Sequence, residues 1–346
     1  MSTESCNSSN NKNVLIIGGG LAGLALANVL KYQGVPFKIF ERDSSPEDRT
    51  QGWSLSVHFC LFMLKSLIDP AKYATLGEKS AVDSENPKDN KFSLIDGNKG
   101  DTIFKSPSIP GVDVFRVNRK RFRSWLMEGI DVQWSKRIDH YTVNKGYSSN
   151  GVQVTFTDGT VEEGSVIVGA DGVNSTVCRQ LIGKEEFDKT TTVNPVQLLV
   201  ASYWIDSEFR RQIVDELTPA HMMAAASGSS EDEHSTGLFS SLVDIDRNRE
   251  TPYEMLWCLS SVDKNEPCYE TDQERLKQAK DWVNEAKYSG LLHRLVMETP
   301  DDTPVVPLKL RERSPHLKLE TLRDPVLLVG DALHTMTTFR GEGNLY

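Results

Sequence analysis

Residues 13–23 read Asn-Val-Leu-Ile-Ile-Gly-Gly-Gly-Leu-Ala-Gly, and this stretch decides the fold. Val14–Ile17 is a short, mostly β-branched run, which is typical of a strand buried on both faces. Gly18, Gly20 and Gly23 then match the pattern G-x-G-x-x-G, and a helical stretch follows. In such a unit the first glycine allows a tight turn, the second admits a pyrophosphate, and the third lets helix and strand pack closely. The stretch therefore predicts a dinucleotide-binding unit with phosphate at the helix N-terminus.

The residues that follow complete this unit. Gly34-Val35-Pro36 breaks the helix, Phe37–Phe40 reads as a second strand, and Glu41 ends that strand. A carboxylate at this spacing can accept hydrogen bonds from the ribose of an adenosine. It would also repel a 2′-phosphate, so the tightly bound nucleotide is predicted to be FAD or NAD and not NADP.

Two further apolar runs also end in glycine and aspartate. Residues 166–175 read Val-Ile-Val-Gly-Ala-Asp-Gly-Val-Asn-Ser, and residues 326–334 read Val-Leu-Leu-Val-Gly-Asp-Ala-Leu-His. Asp171 and its neighbours could form an ordinary turn, with Ser175 capping a helix. Asp331 follows a buried strand and precedes a turn, where an unpaired carboxylate is costly. The three fingerprints in this order imply a flavin enzyme.

Composition excludes several other classes of protein. The chain has 346 residues and a net charge of −10, which argues against a nucleic-acid partner. The basic cluster Arg116, Arg119, Lys120, Arg121 and Arg123 is interpreted as part of an amphipathic helix over 116–127. Five scattered cysteines without a CxxC pair suit reduced thiols in the cytoplasm, and they predict neither a disulfide scaffold nor a metal site.

Neither the first dozen residues nor the apolar segment that follows them is interpreted as a targeting or membrane signal. Residues 1–12 are rich in Ser and Asn and are predicted to be a disordered tail and not a signal peptide. Residues 14–30 are almost wholly apolar, but three consecutive glycines and a length below about 20 residues argue against a membrane span. The absence of such signals predicts a cytoplasmic protein.

The remaining elements are predicted from periodicity. Residues 227–234 are small and acidic, which predicts a mobile loop. Helices are predicted near 58–68, 208–217, 273–286 and 291–297. Strands are predicted at 91–95, 102–104, 151–156, 160–168, 196–204, 237–243, 254–260 and 326–329.

Taken together, these residues resemble the group A flavoprotein monooxygenases, the family of p-hydroxybenzoate hydroxylase. Gly169–Gly172 with Ser175 looks like the second motif of that family, and Gly330–Ala332 with His334 looks like its third. Residues 49–58 resemble the segment that runs past the flavin in tetracycline-inactivating monooxygenases and in fungal secondary-metabolite hydroxylases. The resemblance implies an α/β fold in which a Rossmann-type FAD-binding domain (13–75, 111–190 and 320–346) is interleaved with a sheet-based substrate domain (76–110 and 191–319).

The resemblance also implies which residues bind FAD. Arg119 fits the nucleotide-contacting arginine at the start of a helix, and Asp331 fits the aspartate that binds the ribityl chain. No catalytic side chain is assigned, because the flavin carries the chemistry. The full predicted set for non-covalent FAD is Gly18, Gly20, Leu21, Ala22, Gly23, Glu41, Arg42, Arg49, Gly52, Ser56, Arg119, Asp171, Asp331, Gly343 and Asn344.

The function implied by the family is oxygen insertion. NADH or NADPH reduces the flavin, O₂ adds at C4a, and the resulting peroxyflavin hydroxylates or epoxidises a small organic substrate, aromatic or polyketide-like. The substrate pocket is expected on the strands 196–204, 237–243 and 254–260. One alternative is a flavin oxidoreductase of the same superfamily that does not hydroxylate.

The end of the chain raises a second alternative. Arg340–Asn344 should open a helix whose N-terminal dipole faces the flavin ring, and the chain ends at Tyr346. The resemblance therefore predicts a C-terminally truncated member with impaired hydroxylation, or an inactive FAD-binding remnant.

Overall fold

The computed structural model describes residues 13–48, 53–87, 91–107, 113–145, 150–218, 220–227, 235–261, 270–313 and 325–336. The predicted tail at 1–12 lies outside these ranges, as does the loop predicted at 227–234 except for Ser227, which ends a strand. The helices, in chain order, are α1 (Leu21–Tyr32), α2 (Phe59–Leu67), α3 (Pro70–Ala74), α4 (Leu76–Ser80), α5 (Arg119–Met127), α6 (Thr176–Ile182), α7 (Lys184–Thr190), α8 (Ser207–Glu216), α9 (Asp272–Glu285) and α10 (Gly290–Met297). A short 3₁₀ helix covers Gly330–Ala332.

The strands are interspersed with these helices and often follow one another directly. They are β1 (Val14–Ile17), β2 (Phe37–Phe40), β3 (Ser54–Val57), β4 (Phe92–Asp96), β5 (Thr102–Lys105), β6 (Phe115–Asn118), β7 (Val132–Gln133), β8 (Ile138–Lys145), β9 (Asn150–Phe156), β10 (Val161–Gly164), β11 (Val166–Gly169), β12 (Thr191–Ile205), β13 (His221–Ser227), β14 (Ser235–Ile245), β15 (Tyr253–Ser261), β16 (Val306–Arg313) and β17 (Val326–Leu328).

The first fingerprint forms the centre of a parallel sheet with the strand order β17-β11-β1-β2-β7. Ile16 on β1 pairs with Ile39 on β2 and with Val168 on β11, and all three strands run in the same direction. Both faces of the sheet are covered, as expected for a β-branched parallel strand. The predicted strand–turn–helix–strand order is confirmed, because α1 follows β1 directly and leads into β2.

Two hydrophobic clusters cover the two faces of this parallel sheet. On one face Ile16 of β1 belongs to a cluster with Leu24 of α1, Trp125 of α5 and residues of α2. On the other face Phe40 and Phe156 pack with α6 and with the antiparallel sheet β10-β9-β8. All three fingerprint strands are therefore held rigidly side by side, and their carboxyl ends meet at one edge.

A second, seven-stranded sheet has the order β16-β12-β15-β14-β13-β4-β5. One face packs against α8, α9 and α10 through a large cluster that includes the fully buried Trp257. Strands β4 and β5 precede the second fingerprint in sequence, whereas β12 to β16 follow it, so the two sheets are interleaved along the chain. The α/β fold with an interleaved sheet domain is thus confirmed, and the domain boundaries stay predictions.

The small sheet β3-β6 lies between the two larger ones. Ser54 Oγ donates to the carbonyl oxygen of Leu242 at 2.8 Å, and Asn118 Nδ2 donates to that of Val243 at 3.2 Å. Arg121 adds an ion pair of 2.5 Å with Asp244. These contacts attach the segment expected beside the flavin to β14 of the seven-stranded sheet.

Two predicted elements were wrong in their extent. Residues 116–118 are not helical but belong to β6, because Phe115–Asn118 pairs with Ser54–Val57; Asn118 caps the helix by accepting from the Arg121 amide. The predicted strand 160–168 is two strands, β10 and β11, which lie in different sheets. Gly164 allows the break, since a Cβ there would come within 2.6 Å of the Asn13 carbonyl oxygen.

Several strands were not predicted, among them β8, β13 and β16. The predicted strands of the substrate domain were too short, since β12, β14 and β15 extend to 191–205, 235–245 and 253–261. None of the helices that the structure describes combines the length and the apolar character needed to span a bilayer.

Candidate functional site

The glycine-rich turn between β1 and α1 has the shape of a phosphate cradle. Gly18 has φ 118°, and a Cβ there would overlap the Ala170 carbonyl oxygen. A Cβ on Gly23 would overlap the carbonyl oxygen of Gly18, which is why α1 can approach β1 so closely. A Cβ on Gly20, in contrast, would meet no atom of the described residues within 4 Å. The space beside Gly20 is therefore open, as a bound pyrophosphate requires.

The N-terminus of α1 faces this space. Gly20 is the N-cap residue, and no side chain of the described residues caps the first turn, which contains Leu21 and Ala22. Uncapped amides at a helix N-terminus attract an anion through their partial positive charge. The residues that are present thus fit a phosphate-bearing cofactor at this position.

Glu41 lies at the end of β2 and contacts the glycine-rich turn directly. Its Oε2 accepts from the Gly19 amide at 2.7 Å, and its Oε1 accepts from the Asp43 amide at 3.1 Å. The side chain is buried, whereas the next residue, Arg42, is exposed. Each carboxylate oxygen has capacity for a second hydrogen bond, so the two amides do not exhaust Glu41 as an acceptor.

Arg123 was missed as a site residue by the sequence analysis. It lies on α5, is 5% exposed, and donates from Nε to the Gly19 carbonyl oxygen at 3.0 Å. Its Nη1 donates to the Pro46 carbonyl oxygen at 3.1 Å, and its guanidinium lies over the Trp134 ring at 5.5 Å. The pattern suggested a solvated charge on an amphipathic helix, and no feature of the sequence alone separates Arg123 from its exposed neighbour Lys120.

The second fingerprint forms a capped helix start. Asp171 Oδ1 accepts from Ser175 Oγ at 2.5 Å, and Asp171 Oδ2 accepts from the amides of Thr176 and Val177 at 2.7 and 3.3 Å. Ser175 Oγ in turn accepts from the Cys178 amide at 2.9 Å. These contacts match the alternative in which Asp171 belongs to an ordinary turn and Ser175 caps a helix, here α6. Burial raises the pKa of the Asp171 carboxyl, and the hydrogen bonds to it oppose that shift.

The third fingerprint places Asp331 in the 3₁₀ helix after β17, with its side chain exposed. Although Asp331 is accessible to solvent, the neighbouring protein displaces part of the water around its carboxyl and raises the pKa of that group, while the positive charges of Arg119, Arg313 and His334 lower it. The predicted residues Arg119 and Asp331 are thus within electrostatic reach of one another. They come from segments more than two hundred residues apart in the chain.

Arg313, at the end of β16, connects the second and third fingerprints. Its Nη1 donates to the carbonyl oxygen of Ala332 at 3.0 Å, and its Nη2 donates to that of Val173. The side chain is 3% exposed and lies over the Phe187 ring at 4.0 Å. Arg313 was also absent from the site predicted from sequence, because neither its spacing nor its neighbours in sequence distinguish it from a surface arginine.

Ser56 lies on β3 and accepts from Arg116 Nη1 at 3.0 Å. Four members of the predicted set, Arg49, Gly52, Gly343 and Asn344, lie outside the described residues, as does most of the C-terminal segment on which the truncation was inferred. The described members of the set thus gather around the carboxyl edge of the parallel sheet, or on β3 beside it.

The strands expected to carry the substrate pocket lie in the seven-stranded sheet. On the face away from α8 to α10, Val200, Val243 and Leu256 form a small buried cluster. Phe239, Cys258 and Leu308 pack partly buried against this cluster. The cluster belongs to β12, β14, β15 and β16, and Ser202 and Glu254, which are hydrogen-bonded to each other, lie on the same face beside it.

Comparison with known proteins agrees with this architecture. The family model of an FAD binding domain matches residues 11–58. The chain is 31% identical over 341 residues to the FAD-dependent monooxygenase dbaB of Emericella nidulans, a match that covers 95% of this chain and 82% of that protein.

Two solved structures share the fold. HpxO of Klebsiella pneumoniae, complexed with FAD and uric acid, superposes with a TM-score of 0.69 at 17% identity, over 96% of this chain and 76% of HpxO. The tetracycline destructase Tet(55) superposes with a TM-score of 0.60 at 17% identity, over 97% of this chain and 77% of Tet(55).

Proposed function

Because the chain belongs to the FAD-dependent monooxygenases, we propose that it uses NADH or NADPH and O₂ to hydroxylate or epoxidise a small organic substrate, aromatic or polyketide-like. FAD, when bound, supplies the electron transfer and the activation of oxygen. The side chains of the protein supply binding, orientation and exclusion of water. The observation that carries the proposal is the open space beside Gly20, at the uncapped N-terminus of α1.

The adenosine and pyrophosphate part of FAD is assigned to the first fingerprint. The amides of Leu21 and Ala22 are available to the pyrophosphate, because α1 has no side-chain cap from the part of the chain that the structure describes. Glu41, fixed by the Gly19 and Asp43 amides, can accept in addition from a ribose hydroxyl. The exposed Arg42 lies beside this carboxylate and is available to the adenosine end.

The ribityl chain is assigned to Asp331 and Arg119. Asp331 is exposed at the end of a buried strand, and its backbone is held by Arg313 and by Thr335 Oγ1, which donates to the Asp331 carbonyl oxygen at 2.8 Å. A carboxylate held in this way is preorganised to accept from ribityl hydroxyls. Arg119 is placed to balance its charge.

The apolar cluster of Val200, Val243 and Leu256 on the seven-stranded sheet supports the assignment of the substrate pocket to β12, β14 and β15. The contacts of Ser54 and Asn118 with β14 bring this sheet next to β3, the segment expected to run past the flavin. An apolar wall beside the flavin would keep water from the reacting atoms.

The proposal is tested by purifying the protein and measuring three quantities on one sample. We expect a yellow protein with bound FAD, oxidation of NADH or NADPH that depends on a substrate, and incorporation of label from ¹⁸O₂ into the product. Substrate turnover without label in the product would identify a flavin oxidoreductase that does not hydroxylate. Absence of bound FAD would contradict the proposal as a whole.

A further inference from the structure

The two edges of the seven-stranded sheet differ in how they are protected. β16 forms one edge and carries a proline and two basic residues that are all exposed, namely Pro307, Lys309 and Arg311. Proline and charged side chains on an edge strand hinder another strand from pairing with it. β5 forms the other edge, and no strand of the described residues pairs with its outer side.

Apolar side chains are exposed along the open edge formed by β5. All four residues of β5 are exposed, among them Ile103 at 64% and Phe104 at 49%. The register with β4 pairs Phe104 with Leu94 and Thr102 with Ile95, so Ile103 between them has no partner in β4. An exposed apolar edge strand is a template on which a further strand can pair.

The backbone of β5 is directed for such pairing. The Ser106 amide, just after β5, donates to the Phe92 carbonyl oxygen of β4 at 2.8 Å. The hydrogen-bonding groups of a strand alternate in direction from one residue to the next. The amide and carbonyl groups of Lys105 and Ile103 are therefore directed towards the open side of the sheet.

The hairpin that carries β5 is held firmly at its turn. The Gly97 carbonyl oxygen accepts from the Ser289 amide at 3.0 Å, and Asn98 Nδ2 donates to the Ala286 carbonyl oxygen at 2.7 Å. These contacts attach the turn to the segment between α9 and α10. Because the edge is already ordered, the addition of a further strand costs little conformational entropy on this side.

The sequence of this edge is complementary to itself. Residues 101–105 read Asp-Thr-Ile-Phe-Lys, and all five are exposed. In an antiparallel pair of two such segments with the two Ile103 residues opposite one another, Asp101 of each copy lies opposite Lys105 of the other. Opposite charges and apolar groups in cross-strand pairs stabilise a sheet. The strand that this edge fits best is therefore a second copy of itself.

We propose that β5 pairs antiparallel with β5 of a second copy of this chain, about a two-fold axis at Ile103. Such a contact uses the same surface on both copies and closes at the dimer. Five residues on each side form a small interface, so we expect a reversible dimer and not an obligate one. The inference does not depend on the proposed reaction, because residues 101–105 are not among those assigned to FAD.

Sedimentation velocity of the FAD-loaded protein, from submicromolar to submillimolar concentration, tests the proposal. We expect a reversible equilibrium between monomer and dimer that depends on concentration. Ile103→Glu places two like charges opposite each other at the axis and should shift the protein to the monomer. Val306→Glu is the matched control, because Val306 is an apolar residue of the protected edge β16 with 45% exposure, and it should leave the dimer unchanged.

Charge reversal tests the register of the pairing. Asp101→Lys and Lys105→Asp each turn both cross-strand ion pairs into repulsive pairs, so each variant alone should dimerise about tenfold more weakly than the wild type. An equimolar mixture of the two variants has opposite charges at both ends of the contact. The mixture should therefore dimerise about as well as the wild type.

A protein that stays monomeric over the whole concentration range would overturn the inference. The same holds for a dimer that Ile103→Glu leaves intact, for one that Val306→Glu weakens equally, and for an assembly larger than a dimer. A mixture of the two charge variants that dimerises no better than either variant alone would also overturn it. The FAD content and circular dichroism of each variant identify any loss of dimer that is caused by unfolding, and two misfolded variants would not complement each other.

Discussion

The Glu41 carboxylate accepts a hydrogen bond of 2.7 Å from the Gly19 amide, although the two residues are 22 positions apart. On the other side of the same residue, Arg123 Nε donates to the Gly19 carbonyl oxygen at 3.0 Å. Both polar groups of Gly19 are thus fixed by buried side chains before any cofactor binds. The orientation of the glycine-rich turn is therefore set by β2 and α5, and not by the turn alone.

The two glycines of the turn should respond oppositely to alanine. Gly20→Ala should leave the free energy of unfolding nearly unchanged, because its Cβ enters open space, but should weaken FAD binding strongly. Gly18→Ala should destabilise the fold by at least about 2 kcal/mol, since φ is 118° and its Cβ overlaps Ala170. Urea unfolding of the apoprotein and FAD titration measure the two effects. Equal effects of both substitutions on FAD affinity at unchanged stability would contradict this assignment.

Glu41 should affect both the turn and the cofactor. Glu41→Ala leaves the Gly19 and Asp43 amides without their acceptor, at a cost of about 1–3 kcal/mol in stability, and removes the proposed ribose acceptor. Glu41→Gln keeps one acceptor oxygen and should lie between the wild type and Glu41→Ala in FAD affinity. A titration in which Glu41→Ala binds FAD as tightly as the wild type would remove Glu41 from the site.

Arg123 should act as a positioning residue for FAD. Arg123→Met removes the donors to Gly19 and Pro46 and should lower FAD affinity by about tenfold, because the turn loses its fixed orientation. The matched control is Lys120→Met on the same helix, since Lys120 is exposed. Equal FAD affinities of the two variants would show that the contact with Gly19 does not position the turn. Arg123→Lys should recover only part of the affinity, because a single ammonium cannot reproduce the fork.

The two fingerprint aspartates should have different roles. Asp171→Ala should destabilise the fold by about 1–3 kcal/mol, because three donors at the start of α6 lose their acceptor. Asp331→Ala should leave stability nearly unchanged and reduce the FAD retained after gel filtration, because its carboxylate is exposed. If the Asp331→Ala protein retains FAD fully while turnover alone drops, Asp331 acts on the substrate or on the nicotinamide.

The decrease in the free energy of unfolding at acidic pH should depend on His221. Its imidazole lies between the Phe92 and Phe239 rings at 5.3 and 6.3 Å, and burial together with Arg116 and His58 lowers its pKa to about 3. The folded state keeps this histidine neutral, while the unfolded chain binds a proton below about pH 6.5. Above about pH 6.5 His221 is neutral in both states and protonation does not lower the free energy of unfolding. As the pH falls from about 6.5 towards 3, the unfolded chain binds this proton and the folded state does not, so the free energy of unfolding decreases, by about 2 kcal/mol at about pH 5.

Urea unfolding between about pH 8 and about pH 5 measures this effect. His221→Gln removes the titrating group, so the free energy of unfolding of that variant should fall less steeply with decreasing pH than that of the wild type. Identical slopes for the two proteins would show that His221 does not contribute to acid sensitivity.

The local part of the site could be predicted because it is encoded within a short stretch. Val14–Ile17, the three glycines and Glu41 lie within about thirty residues, and their spacing by itself specifies strand, turn, helix and strand. The second and third fingerprints follow buried strands as well. Because the carboxyl ends of parallel strands meet at one edge of a sheet, their convergence on the same site could be expected.

The sequence of the basic run 116–123 could not reveal which of its charged side chains are buried. Arg116, Arg119, Lys120, Arg121 and Arg123 form one basic run in sequence, yet Arg116 and Arg123 are buried while Lys120 is exposed. The run spans the end of β6 and the start of α5, and the change of geometry at Asn118 sends these side chains in different directions. A single helical periodicity over the run therefore gave the wrong extent for the helix.

The sequence by itself thus determined the α/β class, the nucleotide-binding turn and the family, because these depend on residue type and spacing over one strand–helix unit. Only the tertiary structure decided that Arg123 holds Gly19 across 104 positions, that Arg313 joins Val173 to Ala332, and that Arg116 is buried against Ser54 and Ser56. The physical reason is that an arginine has the same intrinsic preferences on the surface and in the interior. Its role is set by the carbonyls, rings and charges that distant segments bring to it, and these depend on how the two sheets pack.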